Sequence, residues 1–121
     1  MGGGGLQVKG ILTLVKSLKR CDSFVHTSTA YSHTYKDVTP EEFLPATYEP
    51  HKLLSLLDTV SDKVAAAASP ALIAGHPNTY TFTKCCAEGL INEFRAEVDI
   101  PTSVVRPSII TPAWREPYPG W

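Results

Sequence analysis

Asn78-Thr79-Tyr80-Thr81-Phe82-Thr83-Lys84 is the stretch from which both the fold and the chemistry can be read. It sets a tyrosine and a lysine four residues apart at the start of a helical pattern. At 3.6 residues per turn, Tyr80 and Lys84 project from one face a single turn apart. Ala87, Ile91, Phe94 and Val98 continue that stripe, within about 40° of Tyr80 by helical geometry. The face begins polar and continues apolar, which predicts a helix that packs inward and holds a phenol and an ammonium at one end. An ammonium beside a phenol favours the phenolate, and this suits the pair to proton transfer. Tyr-x-x-x-Lys alone arises by chance in many helices, so its meaning rests on the segments either side.

Working upstream, residues 70–77 connect to this helix through Gly75-His76-Pro77, and Asn78 or Thr79 can cap it. Leu53, Leu56, Leu57, Val60 and Val64 form an earlier helical stripe that runs into Ala65 to Ala68 and is expected to stop at Ser69-Pro70. Residues 32–50 are irregular, punctuated by Pro40, Pro45 and Pro50. Before them, residues 23–31 make a β-rich run with Thr27, Ser28 and Thr29 at its carboxyl end, as in a buried strand. Val8, Ile11, Leu12, Val15 and Leu18 predict an amphipathic helix over residues 6–20, with Lys19-Arg20 suited to its C-terminal end. Downstream, Ile100-Pro101 ends the Tyr80 helix and residues 102–107 form a second short strand.

Strands separated by long helical crossovers imply a parallel sheet with helices on its faces. Ligands in such sheets sit beyond the carboxyl ends of the strands. Thr27 to Thr29 lie at one such end, Pro107 to Thr111 at the other, and the Tyr80 helix falls between them in sequence. Three segments can thus converge on one crevice. A tyrosine acting as general acid toward a carbonyl needs a second donor to hold the oxygen, and Thr29 or Ser28 can serve. Lys84 can also hydrogen-bond a cofactor ribose.

Bulk properties exclude several classes. The 121 residues carry 11 basic and 12 acidic side chains without long runs, which points away from nucleic acid and anionic surfaces. No apolar run approaches the ~18 residues of a membrane span, and no signal peptide is recognisable. Cys21, Cys85 and Cys86 are odd in number and lack framework spacing, as expected of an intracellular, reduced chain. Cys85 and Cys86 point about 100° apart on a helix and are read as small packing residues. His26, His33, His51 and His76 lack metal-ligand spacing, so no metal is expected. The glycines of residues 1–5 fail both phosphate-loop spacings and are expected to be a flexible start.

Four blocks then resemble one family. They are Phe24-Val25-His26-Thr27-Ser28-Thr29-Ala30-Tyr31, Pro77-Asn78-Thr79-Tyr80-Thr81-Phe82-Thr83-Lys84, Val105-Arg106-Pro107-Ser108-Ile109-Ile110 and Trp114-Arg115-Glu116-Pro117-Tyr118-Pro119-Gly120-Trp121. In this order they resemble the alcohol-forming fatty acyl-CoA reductases, extended short-chain dehydrogenase/reductases with an N-terminal Rossmann domain. The resemblance implies that residues 6–121 form a partial NAD(P)-binding domain, an α/β doubly wound parallel sheet without its first strands. It implies Tyr80 as proton donor, Lys84 as its partner, and Thr29 polarising the substrate carbonyl, with Ser28 as the second candidate. His26, Thr27, Ser28, Tyr80, Lys84, Pro107, Ser108, Ile109 and Ile110 would line the cofactor. NADPH and a long-chain acyl-CoA are the implied partners, with the acyl group reduced to a fatty alcohol.

The family's first strand and Gly-rich turn have no counterpart in these residues, and Gln7 stands where many relatives carry an asparagine. The expectation is a fragment of such an enzyme, associated with peroxisomal or endoplasmic-reticulum membranes through parts absent from this chain. Alternatives are another extended reductase acting on a small carbonyl substrate, or a truncated non-catalytic chain. Arg106 could clamp a phosphate or anchor its loop, and the loop anchor is favoured. Trp114 and Trp121 could belong to an acyl channel or cover the core, and the cover is favoured.

Overall fold

The computed structural model describes residues 3–73 and 75–121, with side chains from Gln7 onward. The elements in chain order are α1 (Gly3–Ser17), β1 (Phe24–Thr27), α2 (Pro50–Thr59), α3 (Asp62–Leu72), α4 (Thr79–Glu97) and β2 (Thr102–Val105). β1 and β2 pair in parallel, with Phe24 opposite Thr102 and Thr27 opposite Val105. Pairing continues past the strands, because Ser28 N–H donates to Val105 O at 2.8 Å and Ala30 N–H to Pro107 O at 2.9 Å. Those two bonds hold the carboxyl ends of both strands side by side.

α4 is the element on which the rest packs. Leu90, Ile91 and Phe94 pack with Leu12 and Val15 of α1 and Leu54 of α2. Phe82 and Cys86 pack with Leu53 of α2. Phe24 of β1 meets Phe94 edge-on, with ring centroids 5.6 Å apart. Asn78 starts the helix: its backbone is extended and its side chain accepts from Thr81 N–H at 2.9 Å, satisfying one orphan donor of the first turn. Gly89 permits the close approach of the preceding loop and α2, since a Cβ there would lie 2.8 Å from Pro50 Cγ and 2.9 Å from Ala46 Cβ. Glu49 caps α2 by accepting from His51 N–H and Lys52 N–H, and Pro50 follows with a φ suited to the first turn.

The α/β plan with a parallel sheet is the one expected, with the helices on one face of the two strands. The opposite face, where Val25 and Val105 are about half exposed, is uncovered among the described residues. A doubly wound sheet carries helices on both faces.

Several boundaries differ from the sequence reading. α1 spans Gly3–Ser17 rather than residues 6–20, so Gly3 to Gly5 are helical rather than a flexible start, while residues 1–2 lie outside the described set. Lys16, not Lys19-Arg20, supplies the cation of the last turn, and it pairs with Glu97 of α4. The expected helix over Leu53 to Ala68 is two helices, because Val60 and Ser61 are extended and Ser61 occupies the cap position of α3. α3 then runs through Pro70 to Leu72. Proline's fixed φ suits a helix, and near the C-terminus it costs one backbone bond.

Candidate functional site

The first turn of α4 faces the joined strand ends across an open cleft of about 350 Å³. Tyr80 and Lys84 form the helical wall, and Thr27, Ser28 and Thr29 form the end of β1. Pro107, Ser108, Ile109 and Ile110 form the wall beyond β2, and Tyr31 stands beside Ser108 with its hydroxyl 3.5 Å from Ser108 Oγ. The cleft thus collects every anticipated residue except His26. That histidine sits half-buried on the inner side of β1, with Nε2 unpartnered among the described residues. Burial above all, and then the Lys84 charge, lower its pKa, so its ring is neutral near pH 7.

Lys84 Nζ donates to Thr27 O at 3.0 Å and lies 5.8 Å from the centre of the Tyr80 ring. Tyr80 is 54% exposed, so its phenol is open to the cleft. The two hydroxyls of the strand end differ sharply. Ser28 Oγ donates to the buried carboxylate of Glu88. Thr29 Oγ1 accepts from Tyr31 N–H at 3.3 Å, which leaves its own proton for another acceptor. Gln7 is exposed on α1 and does not line the cleft.

Beneath the cleft lies a polar network that the sequence reading missed. Glu88, 1% exposed, accepts from Ser28 Oγ, from Ser32 Oγ at 2.8 Å and from Arg106 Nη2 at 2.7 Å, with His33 Nε2 at 2.8 Å. Burial pushes this carboxyl up, but its bonds with His33, Arg106, Ser28 and Ser32 overcome that and hold it well below the usual range. Burial likewise lowers His33, yet hydrogen bonding to Cys85 and Glu88 outweighs it and raises the imidazole to about 9. His33 Nδ1 also lies 2.9 Å from Tyr35 Oη. One signal could have found Glu88. It is the lone charge in the otherwise uncharged run of residues 85–91, one turn beyond Lys84.

Arg106 reaches Glu88 through Nε and Nη2 and the carbonyls of Pro40 and Glu42 at 3.0 Å through Nη1 and Nη2. Its guanidinium is committed to the irregular insert of residues 32–49 between β1 and α2, so it anchors the loop. Cys85 and Cys86 are buried, free thiols in the packing around α4. Trp114 is 90% exposed and Trp121 68% exposed, so neither covers the core. Trp121 instead meets Tyr118 edge-on at 5.2 Å within a loop closed by Ala113 N–H to Trp121 O. A larger hollow of about 560 Å³ runs along β2 beside residues 39–43, but it brings together no phenol and ammonium. The chemistry concentrates in the smaller cleft.

Residues 6–121 match an NAD-binding family described as male sterility protein. The chain is 40% identical over 111 residues to "Putative fatty acyl-CoA reductase CG8306" of Drosophila melanogaster, covering 92% of this chain and 21% of that protein. It is 35% and 34% identical over 116 residues to proteins named fatty acyl-CoA reductase 1 in Gallus gallus and Xenopus laevis, covering 96% of this chain and 22% of each. The chain therefore spans about a fifth of the length of these relatives. Two parallel strands joined by a long helical crossover, a cleft at their carboxyl ends and a match over nearly every residue lead to one conclusion: this chain belongs to the NAD-binding male sterility protein family.

Proposed function

We propose that this chain supplies the proton-transfer half of an NADPH-dependent reductase site that converts a long-chain fatty acyl-CoA to a fatty alcohol. The observation that carries the reading is the single cleft shared by Tyr80, Lys84 and Thr29, in a chain whose relatives are named fatty acyl-CoA reductases.

The donor set suits the nicotinamide half of the cofactor. An ammonium has three N–H donors, and the bond to Thr27 O engages one of them. The others are left for the ribose hydroxyls of a dinucleotide. Thr27 and Ser108 add polar edges, while Pro107, Ile109 and Ile110 offer an apolar wall for the nicotinamide ring. NADPH, when bound, would supply hydride twice, first to the thioester carbon and then to the carbon of the aldehyde that remains once coenzyme A has left as its thiol.

Hydride addition leaves negative charge on the former carbonyl oxygen, and the residues of the cleft answer that charge. Thr29 donates its free hydroxyl proton in a hydrogen bond to the oxygen. The first oxyanion collapses to the aldehyde as the thiolate leaves; after the second addition Tyr80 transfers its phenolic proton to the oxygen, giving the alcohol, and the Lys84 ammonium stabilises the phenolate that results. Ile109 and Ile110, 74% and 85% exposed, continue the apolar wall outward, where an acyl chain would lie. By the same family resemblance the protein works at peroxisomal or endoplasmic-reticulum membranes. Among the described residues no helix is long and apolar enough to cross a membrane.

The test is Tyr80→Phe in the full-length protein, assayed for fatty alcohol from acyl-CoA and for NADPH binding by nucleotide fluorescence. Removing a positioned general acid costs about 10²–10⁴-fold in turnover, while NADPH affinity should hold. Unchanged turnover would overturn the mechanism.

A further inference from the structure

We propose that Glu88 is the positioning residue of this site: it clamps the end of β1 and the Arg106 loop against α4 and turns the Ser28 hydroxyl inward, leaving Thr29 to hold the substrate oxygen. The assignment of Thr29 rests on the reductase reading, whereas the clamp rests on contacts alone.

Tyr80, Lys84 and Glu88 occupy one face of α4 at successive turns, about 6 Å apart along the axis. Lys84 takes the carbonyl of Thr27, and Glu88 takes the hydroxyl of the next residue, Ser28. Two adjacent points on the strand are thereby tied to two adjacent turns of the helix. This fixes the register between Tyr80 and Thr29, which share no hydrogen bond among the described residues and are held relative to each other through such ties.

Glu88 extends the clamp to the remaining walls. Arg106, which immediately precedes Pro107 of the opposite wall, gives it three contacts of 2.7–3.2 Å. The same guanidinium holds the carbonyls of Pro40 and Glu42, so the insert is tied to the carboxylate as well. Ser32 and His33 secure the segment that leaves β1. A neutral side chain cannot replace this function: all the protein's donors at this point converge on two oxygens, and only a carboxylate accepts from every one. Misplacement by 1 Å between reacting groups is enough to cost about 10²-fold in rate. A buried clamp outside the cleft can therefore govern turnover without touching substrate.

Glu88→Gln in the full-length protein tests the clamp by two readouts. Turnover counted per NADPH-binding site should fall by about 10–100-fold, with NADPH affinity changed less than about threefold. Amide hydrogen exchange should quicken at Ser28 and Ala30, the residues that join the strand ends, while Ile91 in the middle of α4 keeps its protection. Equal quickening at Ile91 would mean a purely structural role and would overturn the proposal, as would unchanged turnover per site. If the wild-type protein forms no fatty alcohol, the reductase reading fails and the exchange pattern alone decides the clamp. If Glu88→Gln does not fold, Ser28→Ala and Thr29→Ala decide the roles of the two hydroxyls. Losing one oxyanion donor costs about 10²–10³-fold, so Thr29→Ala should show that loss with exchange at Ala30 unchanged, whereas Ser28→Ala, which cuts the tie between β1 and Glu88, should quicken exchange at Ala30 and cost about 10-fold. The reverse ranking would overturn the proposal.

Discussion

Gly89→Ala sets two effects against each other at the helix that carries the site. In an exposed helix interior, replacing glycine with alanine gains about 0.5–1 kcal/mol, because alanine loses less backbone entropy on folding. At Gly89 the new Cβ would stand 2.8 Å from Pro50 Cγ and 2.9 Å from Ala46 Cβ. Carbon atoms prefer roughly 3.5–4.0 Å, so both contacts must open by about 0.6 Å or more. Neither neighbour is the far end of a flexible side chain. Pro50 is a ring fixed in the first turn of α2, and the methyl of Ala46 moves only with its backbone. Relief requires residues 46–50 to shift bodily away from α4, and overpacking of this kind costs about 1–3 kcal/mol.

Gly10→Ala is the internal control, since Gly10 lies within α1 and its Cβ would meet nothing within 4 Å. Gly10→Ala should be more stable than wild type by about 0.5–1 kcal/mol, and Gly89→Ala less stable by about 1–2 kcal/mol. The difference between the variants isolates the overpacking, because the propensity gain is common to both. Urea unfolding followed by far-ultraviolet circular dichroism measures both free energies at unchanged m-value. A difference below about 0.5 kcal/mol, within the scatter expected of independent sites, would show that the insert yields freely and would refute the packing argument.

Three further outcomes follow from the contacts around the site. Asn78→Ala removes the side-chain acceptor for Thr81 N–H and should cost about 1 kcal/mol in the same urea assay, with Asn78→Asp close to wild type. Thiol labelling should modify Cys21 first, because it is only partly buried, whereas Cys85 and Cys86 are buried and the Cys86 thiol is pushed up to about 12, chiefly by burial. Labelling of all three at one rate in the folded protein would contradict the packing around α4. For His33, the raised folded pKa means that its contribution to stability is fully present below about pH 6.5 and lost as pH rises through about 9. The stability difference between wild type and His33→Gln should shrink across that interval in urea titrations, and a constant difference would contradict the His33–Glu88 contact.

The parts of this protein that the sequence determined are those governed by local period and by spacing along one element. Tyr80 and Lys84 must share a face of α4 because helical geometry leaves no alternative at a separation of four residues. Parallel pairing followed from crossovers too long for a hairpin, and the cleft at the strand ends followed from that pairing. Local signals were weaker at the boundaries. The apolar stripe of α1 begins only at Val8, so nothing local marks Gly3 to Gly5 as helical, and an unbroken apolar stripe hides the break at Val60-Ser61.

Only the tertiary structure decided what Ser28, Glu88, His33 and Arg106 do. Ser28 and Thr29 are equivalent hydroxyls in the sequence, and they become different because one proton is drawn toward a carboxylate 60 residues away. Glu88 looks like a solvated helix charge until Ser32, His33 and Arg106 arrive from two other segments to make its burial possible. The physical reason is desolvation. A buried carboxylate is stable only when its oxygens are fully bonded, and whether such partners meet in space depends on the packing of distant segments rather than on any local pattern.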